Sequence, residues 1–96
     1  MTYKLDFKKS AWKEWQKLGS TLQQQFKKKL VERLENPHVP ASKLSGAENM
    51  YKIKLRQPGY RLVYQVNDDV ILVTVLAVGK RERSDVYLSA VKRLHD

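Results

Sequence analysis

The chain has 96 residues, of which 42% are hydrophobic, and its 19 Lys and Arg against 10 Asp and Glu give a formal net charge of +9. This length predicts one domain, residues 1–96, around a single small core. The charge favours a polyanionic partner, and nucleic acid, an anionic membrane surface and an acidic protein are all candidates. The absence of Cys excludes disulfides, thiolate metal sites and thiol nucleophiles.

No segment has the pattern of a targeting or membrane sequence. The first residues alternate apolar and charged side chains and lack the unbroken apolar core of a signal peptide. The longest apolar run, residues 70–78 with Thr74 inside it, is far shorter than the roughly 20 residues that span a bilayer. We expect a soluble cytoplasmic protein without a membrane partner.

The first third of the chain predicts a strand and two helices. Apolar and charged residues alternate over residues 3–7, which indicates a half-buried strand. Ser10 is the expected N-cap of a first helix, and Ser20 or Thr21 that of a second helix, which Pro37 ends. Apolar residues recur at helical spacing in both, so the two form an αα-hairpin that packs on a sheet.

The rest of the chain predicts strands followed by a helix. Alternating patterns and turn residues indicate strands over 51–56, 60–66 and 70–78, and the last is apolar on both faces, as in a central strand. A final helix is expected from Ser84 or Asp85. The order β-α-α-β-β-β-α predicts an α+β domain with a mostly antiparallel four-stranded sheet, whose strand order stays open.

Alternation also groups the cations of the predicted sheet. If Ile53 faces the helices, Lys52, Lys54 and Arg56 face the opposite, solvated side, and Arg61 on the neighbouring strand faces the same way. Three more cations, Lys80, Arg81 and Arg83, follow the last strand, and Tyr87 lies just beyond them. Solvated strands often carry Lys and Arg, but cations beside an aromatic ring suit single-stranded RNA, whose phosphates and bases they can bind.

This face lacks the groups of ordinary acid–base or metal catalysis. His38 and His95 are expected at the surface away from it, and residues 68–69, Asp-Asp, are better explained as a turn than as metal ligands. No metal or cofactor is therefore expected. RNA supplies its own nucleophile, the 2′-hydroxyl. A lysine crowded by cations is more easily neutral and can act as a base, and arginine suits the phosphate. The candidate bases are Lys52 and Lys54, and the candidate phosphate ligands are Arg61 and Arg81.

Several stretches together resemble the RelE family of ribosome-dependent mRNA interferases, the toxins of RelBE-type type II toxin–antitoxin pairs. The matching stretches are LGST (18–21), KKKLV (27–31), YKIKLR (51–56), GYRLVYQV (59–66) and VGKRERS (78–84), followed by VY (86–87) and AVKR (90–93). The resemblance implies a RelE/ParE-like fold, similar to small microbial ribonucleases, and a metal-independent endoribonuclease that cuts the codon in the ribosomal A site by 2′-hydroxyl attack.

The resemblance also implies site residues and partners. The functional positions of the family correspond here to Lys52, Lys54, Arg61, Arg81 and Tyr87. Further RNA or ribosome contacts are expected from Arg56, Lys80, Arg83, Lys27, Lys28 and Lys29. The implied partners are a cognate RelB-like antitoxin, the 70S ribosome with A-site mRNA, and operator DNA only through the antitoxin complex. The alternatives are a non-catalytic basic RNA- or DNA-binding module and a degenerate toxin that acts only in a repressor complex.

Overall fold

The computed structural model describes residues 2–44, 48–55, 59–80 and 90–93. Its elements in chain order are β1 (Lys4–Phe7), α1 (Lys9–Gln16), α2 (Ser20–Glu35), a 3-10 turn (Pro40–Ser42), β2 (Met50–Lys54), β3 (Tyr60–Asn67) and β4 (Leu72–Lys80). Residues 90–93 are helical. This order agrees with the predicted α+β domain.

The strands form a four-stranded sheet in the order β1-β4-β3-β2. β2, β3 and β4 pair antiparallel with their chain neighbours, as the turn residues between them predict. β1 pairs parallel with β4, from Lys4 opposite Leu72 to Phe7 opposite Val75. The prediction of a mostly antiparallel sheet is confirmed, with this one parallel pair, and β4 is a central strand as its apolar composition indicates.

The two helices pack on one face of the sheet and form the larger core. Trp15 of α1 and Phe26 and Leu30 of α2 are buried against strand residues that include Leu62 and Tyr64. The prediction of an αα-hairpin on a sheet is therefore confirmed. Because successive side chains of a strand point to opposite faces, the residues of β2 and β3 that alternate with these buried ones must point to the other face.

The opposite face of the sheet is not fully solvated, which corrects the sequence-based expectation. Met50, Val63, Leu76, Ala77 and Ala90 form a second buried cluster there. Ala90 belongs to the C-terminal helical residues, so that segment covers part of this face. Cations on this face consequently have apolar neighbours as well as solvent around them.

Several element boundaries differ from the predicted ones, most clearly at the starts of α1, α2 and β4. Lys8 is the N-cap of α1 and Gly19 that of α2, neither with a side-chain cap hydrogen bond, so Ser10 lies inside α1 and Ser20 begins α2. β4 begins at Leu72 rather than at residue 70, because the preceding residue, Ile71, has a left-handed φ of 53° that interrupts an extended strand.

Candidate functional site

The register of β2 and β3 brings together three of the predicted site residues on the sheet face opposite the helices. Lys54 is the partner of Arg61, and Lys52 is the partner of Val63, which belongs to the second buried cluster. Directly opposed residues of an antiparallel pair lie on the same face. We call the surface formed by Lys52, Lys54 and Arg61 the basic face.

Arg61 is the least exposed cation of the basic face, at 8% relative exposure. Its Nη1 donates to the carbonyl of Tyr60 over 3.2 Å, while its Nε is buried and has no hydrogen-bond partner within the described residues. A buried charged group with an unused donor is costly unless a counter-charge is bound. Arg61 therefore has the capacity to accept an anion such as a phosphate.

The lysines of β2 differ in their surroundings. Lys54 is exposed and lies across the strand pair from Arg61, whereas Lys52 is partly buried. The backbone at Lys52 is held from the helix side of the sheet, where Arg33 Nη1 donates to its carbonyl over 3.3 Å. Lys54 is consequently the more accessible amine beside Arg61.

A space opens at the β4 side of Arg61. Gly79 is the cross-strand partner of Arg61 on β4, and a Cβ built on Gly79 would meet no atom of the described residues within 4 Å. Among the described residues, therefore, no side chain from position 79 crowds the β4 side of Arg61. A glycine here suits a site that must admit a bulky ligand group.

The other predicted binding cations that the structure describes do not join the basic face. Lys80 is paired with Tyr60, and its Nζ lies 6.0 Å from the centre of that ring, which packs against the helix-side core. Lys27, Lys28 and Lys29 are exposed on α2, between the buried Phe26 and Leu30. They form a separate basic surface in the helical layer, away from Lys54 and Arg61.

Four predicted site residues lie outside the described residues. They are Arg56, Arg81, Arg83 and Tyr87. Arg81 directly follows Lys80, the last residue of β4, and Tyr87 precedes the helical residues 90–93 in the sequence. Their assignment to the site remains the sequence-based prediction.

A buried hydroxyl connects α2, the following loop and the strands of the basic face. Tyr64 donates to the carbonyl of Pro37 over 2.7 Å and accepts from Arg33 Nη1 over 2.9 Å. Arg33 also donates to Ser42 Oγ. Burial raises the pKa of the Tyr64 hydroxyl, and the Arg33 guanidinium partly opposes that rise. Apart from the helical position of Arg33, no pattern in the sequence predicts this junction.

His38 is partly exposed, but it belongs to a hydrogen-bonded cluster that sequence reasoning missed. Its Nδ1 lies 2.8 Å from the Tyr51 hydroxyl and its Nε2 lies 2.8 Å from Asp68 Oδ1, which also accepts from the Tyr3 hydroxyl. These hydrogen bonds, first from His38 and then from Tyr3, lower the pKa of the Asp68 carboxyl. The bond to Asp68 in turn raises the pKa of the Tyr3 hydroxyl.

The His38 cluster is remote from the chemistry predicted for the basic face. Tyr51 belongs to the helix-side core, and its ring stacks on that of Tyr64 with centroids 5.6 Å apart. The cluster instead ties β1, the loop after α2, β2 and the β3–β4 turn together. Within the described part of the chain, no group of three or more His, Asp or Glu residues could hold a metal ion. None of its helices is long and apolar enough to cross a membrane.

The fold and the sequence match a known class of protein. The family model of the ParE toxin of the type II toxin–antitoxin system parDE matches residues 5–85. That match covers the hairpin, the basic face and all of the sheet except Lys4, the first residue of β1. The chain thus has the architecture of a toxin from a type II toxin–antitoxin system.

Individual relatives narrow the class. The chain is 62% identical over 94 residues to the mRNA interferase toxin RelE of Escherichia coli K12, covering 98% of this chain and 99% of the relative, and equally similar to the mRNA interferase RelE of Shigella flexneri. The E. coli RelE R81A/R83A mutant in the free state superposes with a TM-score of 0.91 at 60% identity, covering 98% of this chain and 99% of that one. For the intact E. coli RelBE complex the TM-score is 0.82 at 60% identity, over 84% of this chain and 99% of the matched chain. The chain belongs to the RelE family of mRNA interferase toxins, which confirms the resemblance seen in its motifs.

Proposed function

We propose that this chain enters the A site of the 70S ribosome and cleaves the mRNA codon there, which stops translation. The observation that carries the proposal is the pairing of exposed Lys54 with Arg61, whose Nε is buried and has no hydrogen-bond partner among the described residues. The relatives named mRNA interferases support the type of substrate. An open position at Gly79 supports access of a phosphate to Arg61.

The reaction that suits these groups needs no metal. A base removes the proton of the 2′-hydroxyl, the 2′-oxygen attacks the adjacent phosphorus, and the bond to the 5′-oxygen breaks. The 5′-oxygen takes up a proton from water, which leaves a 2′,3′-cyclic phosphate and a 5′-hydroxyl. Lys52 and Lys54 are the candidate bases, and Lys54 is the better placed because it is exposed beside Arg61. Arg61 stabilises the charge that develops on the phosphate oxygens.

Two further groups complete the proposed site on the strength of the sequence. Arg81 is a second phosphate ligand and lies near the leaving 5′-oxygen, although its high pKa makes an arginine a poor proton donor. Tyr87 stacks on or orients a base. The E. coli toxin of known free-state structure carries substitutions at two arginines, R81A and R83A, and this chain has arginine at both numbers.

The other cations have binding roles in this proposal. Arg56, Lys80 and Arg83 contact the RNA strand as it leaves the basic face. The exposed Lys27, Lys28 and Lys29 of α2 contact ribosomal RNA, because a lysine cluster in a separate layer is free to bind phosphates while the basic face holds the codon.

A cognate RelB-like antitoxin is the proposed protein partner. Structures of relatives include the E. coli RelBE complex and an E. coli RelE mutant with a RelB peptide. With its antitoxin the chain represses its own operon, and the antitoxin makes the contacts to operator DNA. The cytoplasm, where ribosomes and operator coexist, is the proposed location.

The test is cleavage on programmed ribosomes. Purified protein is added to 70S ribosomes with a defined A-site codon, and primer extension locates any cut. A codon-specific cut that requires the ribosome supports the proposal. Ribosome binding without a cut favours a non-catalytic RNA-binding module, and harmless expression in the absence of antitoxin favours a degenerate toxin that serves only in a repressor complex.

Variants separate chemistry from binding in the same assay. Lys54→Ala and Arg81→Ala should lower the single-turnover cleavage rate by about 100-fold or more, with much smaller effects on ribosome affinity. Lys4→Ala is the matched control, because it removes an exposed lysine from β1 at the far edge of the sheet. Equal losses of cleavage rate and ribosome affinity would mean that Lys54 and Arg81 bind RNA but take no part in the chemical step.

A further inference from the structure

An ion pair joins α1 to the C-terminal helical residues at the end of β4. Glu14 Oε1 lies 2.8 Å from Arg93 Nη1 and also accepts the backbone N–H of Val78 over 3.1 Å. Arg93 Nη1 donates to the carbonyl of Leu76 over 3.0 Å. The two side chains are only 34% and 19% exposed, respectively. We call this arrangement the Glu14–Arg93 clamp.

The topology of the sheet explains why side chains are needed at this place. β1 ends at Phe7, which pairs with Val75, so Leu76 and Val78 lie beyond the reach of that strand. The Glu14 carboxylate and the Arg93 guanidinium supply hydrogen bonds to backbone groups of both residues. Charge-assisted bonds in a partly buried setting are stronger than those of an exposed pair. The clamp therefore fixes the end of β4 where strand pairing on that edge has stopped.

The clamp lies at the end of β4, next to residues that border the basic face. Val78 precedes Gly79, the cross-strand partner of Arg61. Ala90, in the same helical segment as Arg93, belongs to the same buried cluster as Val63, which is the cross-strand partner of Lys52. One ion pair thus restrains the strand that borders Arg61 and the segment that covers part of the same face. Neither Glu14 nor Arg93 belongs to that face.

We propose that Glu14 and Arg93 are positioning residues for RNA cleavage, which hold the β4 border of the basic face in register with Arg61 and Lys54. The inference rests on the proposed function. Arg81 directly follows Lys80, the last residue of β4, and is three residues beyond Val78 in the sequence, so an error in the position of Val78 is carried along the backbone toward it. Small displacements of aligned catalytic groups lower a rate much more than they lower binding.

A graded set of variants tests the clamp. Glu14→Ala removes both acceptor functions, Glu14→Gln keeps an oxygen for the Val78 N–H but loses the charge, and Arg93→Lys keeps the charge but loses the forked geometry. We expect the single-turnover rate to fall by about 100-fold in Glu14→Ala and by about tenfold in the two conservative variants. Ribosome affinity should change by less than about threefold. Glu32→Ala, which removes an exposed acid from α2, is the matched control and should keep the wild-type rate.

Hydrogen exchange distinguishes the clamp from the chemistry. Measured where every variant is fully folded, the Val78 amide should exchange faster in Glu14→Ala than in the wild type and stay protected in Glu14→Gln. Wild-type cleavage rates in Glu14→Ala would overturn the proposal, as would rate losses matched by equal losses of affinity. If the wild type itself does not cut, the proposed function fails and the positioning role with it. If, in addition, the Val78 amide exchanged equally fast in Glu14→Ala and in the wild type, Glu14 would not restrain β4 at all.

Discussion

Tyr64→Phe removes one hydroxyl from the buried junction behind the basic face. In the wild type this hydroxyl donates to Pro37 O over 2.7 Å and accepts from Arg33 Nη1 over 2.9 Å. The ring itself stacks on Tyr51, and phenylalanine can keep that contact. The substitution therefore isolates the hydrogen bonds of the hydroxyl from its packing.

The expected cost follows from what the partners keep. Pro37 O still accepts the Val39 N–H, and Arg33 still donates to Ser42 Oγ, so neither partner is left without a hydrogen bond. Loss of one neutral hydrogen bond costs about 1 kcal/mol and loss of one charged hydrogen bond about 1.5–3 kcal/mol. Because Pro37 O and Arg33 each keep another hydrogen bond, we expect a total cost toward the lower end of these values. We expect the free energy of unfolding to fall by about 2 kcal/mol, which in a domain of this size lowers the Tm by about 10 °C.

Urea titration followed by tryptophan fluorescence measures this change, because Trp15 is buried in the same core. Tyr3→Phe is the control, since it removes a hydroxyl that bonds to exposed Asp68, and it should cost much less stability than Tyr64→Phe. A loss for Tyr64→Phe no larger than that of the control would refute the role given to the junction.

Alkaline pH supplies a second test of the same hydroxyl. Burial raises the folded-state pKa of Tyr64 above its ordinary value of 10.0. A raised pKa means that the folded state holds this proton more tightly, so the stabilising contribution is complete below pH 10.0 and is lost as the pH rises through the folded-state value. The difference in stability between wild type and Tyr64→Phe should shrink above about pH 10. A constant difference would contradict the assigned burial of the hydroxyl.

Three other variants probe the acid cluster and the two basic surfaces. The hydrogen bonds that lower the pKa of Asp68 contribute stability that is present above its ordinary pKa of 3.8 and is lost as the pH falls through the folded-state pKa. The urea midpoint of unfolding should therefore decrease less on acidification in Asp68→Asn than in the wild type. Parallel acid profiles would contradict this. Arg61→Lys should lower single-turnover cleavage by about 100-fold, because a lysine cannot reproduce the guanidinium fork, and a wild-type rate would remove Arg61 from the reaction. Replacing Lys27, Lys28 and Lys29 together by Ala should weaken ribosome binding and flatten its log–log salt dependence by about 2, whereas an unchanged slope would mean that these lysines do not contact phosphate.

Local patterns in the sequence were sufficient to predict the layout of the basic face. Alternation along β2 and β3 placed Lys54 and Arg61 on one face, and the register confirms that they are cross-strand partners. This works because the side-chain period of a strand is fixed and the helix-side residues are strongly apolar. The helical hairpin was predictable for the same reason, from spacing within short segments.

Local sequence patterns could not predict the burial of individual side chains or the pairing of distant strands. Arg61 was expected in solvent but is 8% exposed, because the same face also carries Val63 and receives Ala90 from near the C-terminus. The parallel pairing of β1 with β4 likewise joins segments separated by most of the chain. Such contacts depend on which distant segments meet, and a local pattern contains no information about that.

The two faces of the sheet have different roles, since one carries the proposed reacting groups and the other supplies contacts that stabilise it. A surface that holds Lys52, Lys54 and Arg61 close together is opposed by their mutual repulsion, and a buried guanidinium adds a desolvation cost. The opposing stabilisation comes from behind that surface, where Arg33 binds the backbone of Lys52 and Tyr64 bonds to the end of the loop after α2. Loosening this junction should therefore lower the cleavage rate by more than the loss of folded molecules alone explains. Tyr64→Phe, assayed well below its Tm, gives that comparison: a cleavage rate that falls while the protein is fully folded would show that the helix side positions β2 for chemistry, and an unchanged rate would limit its role to stability.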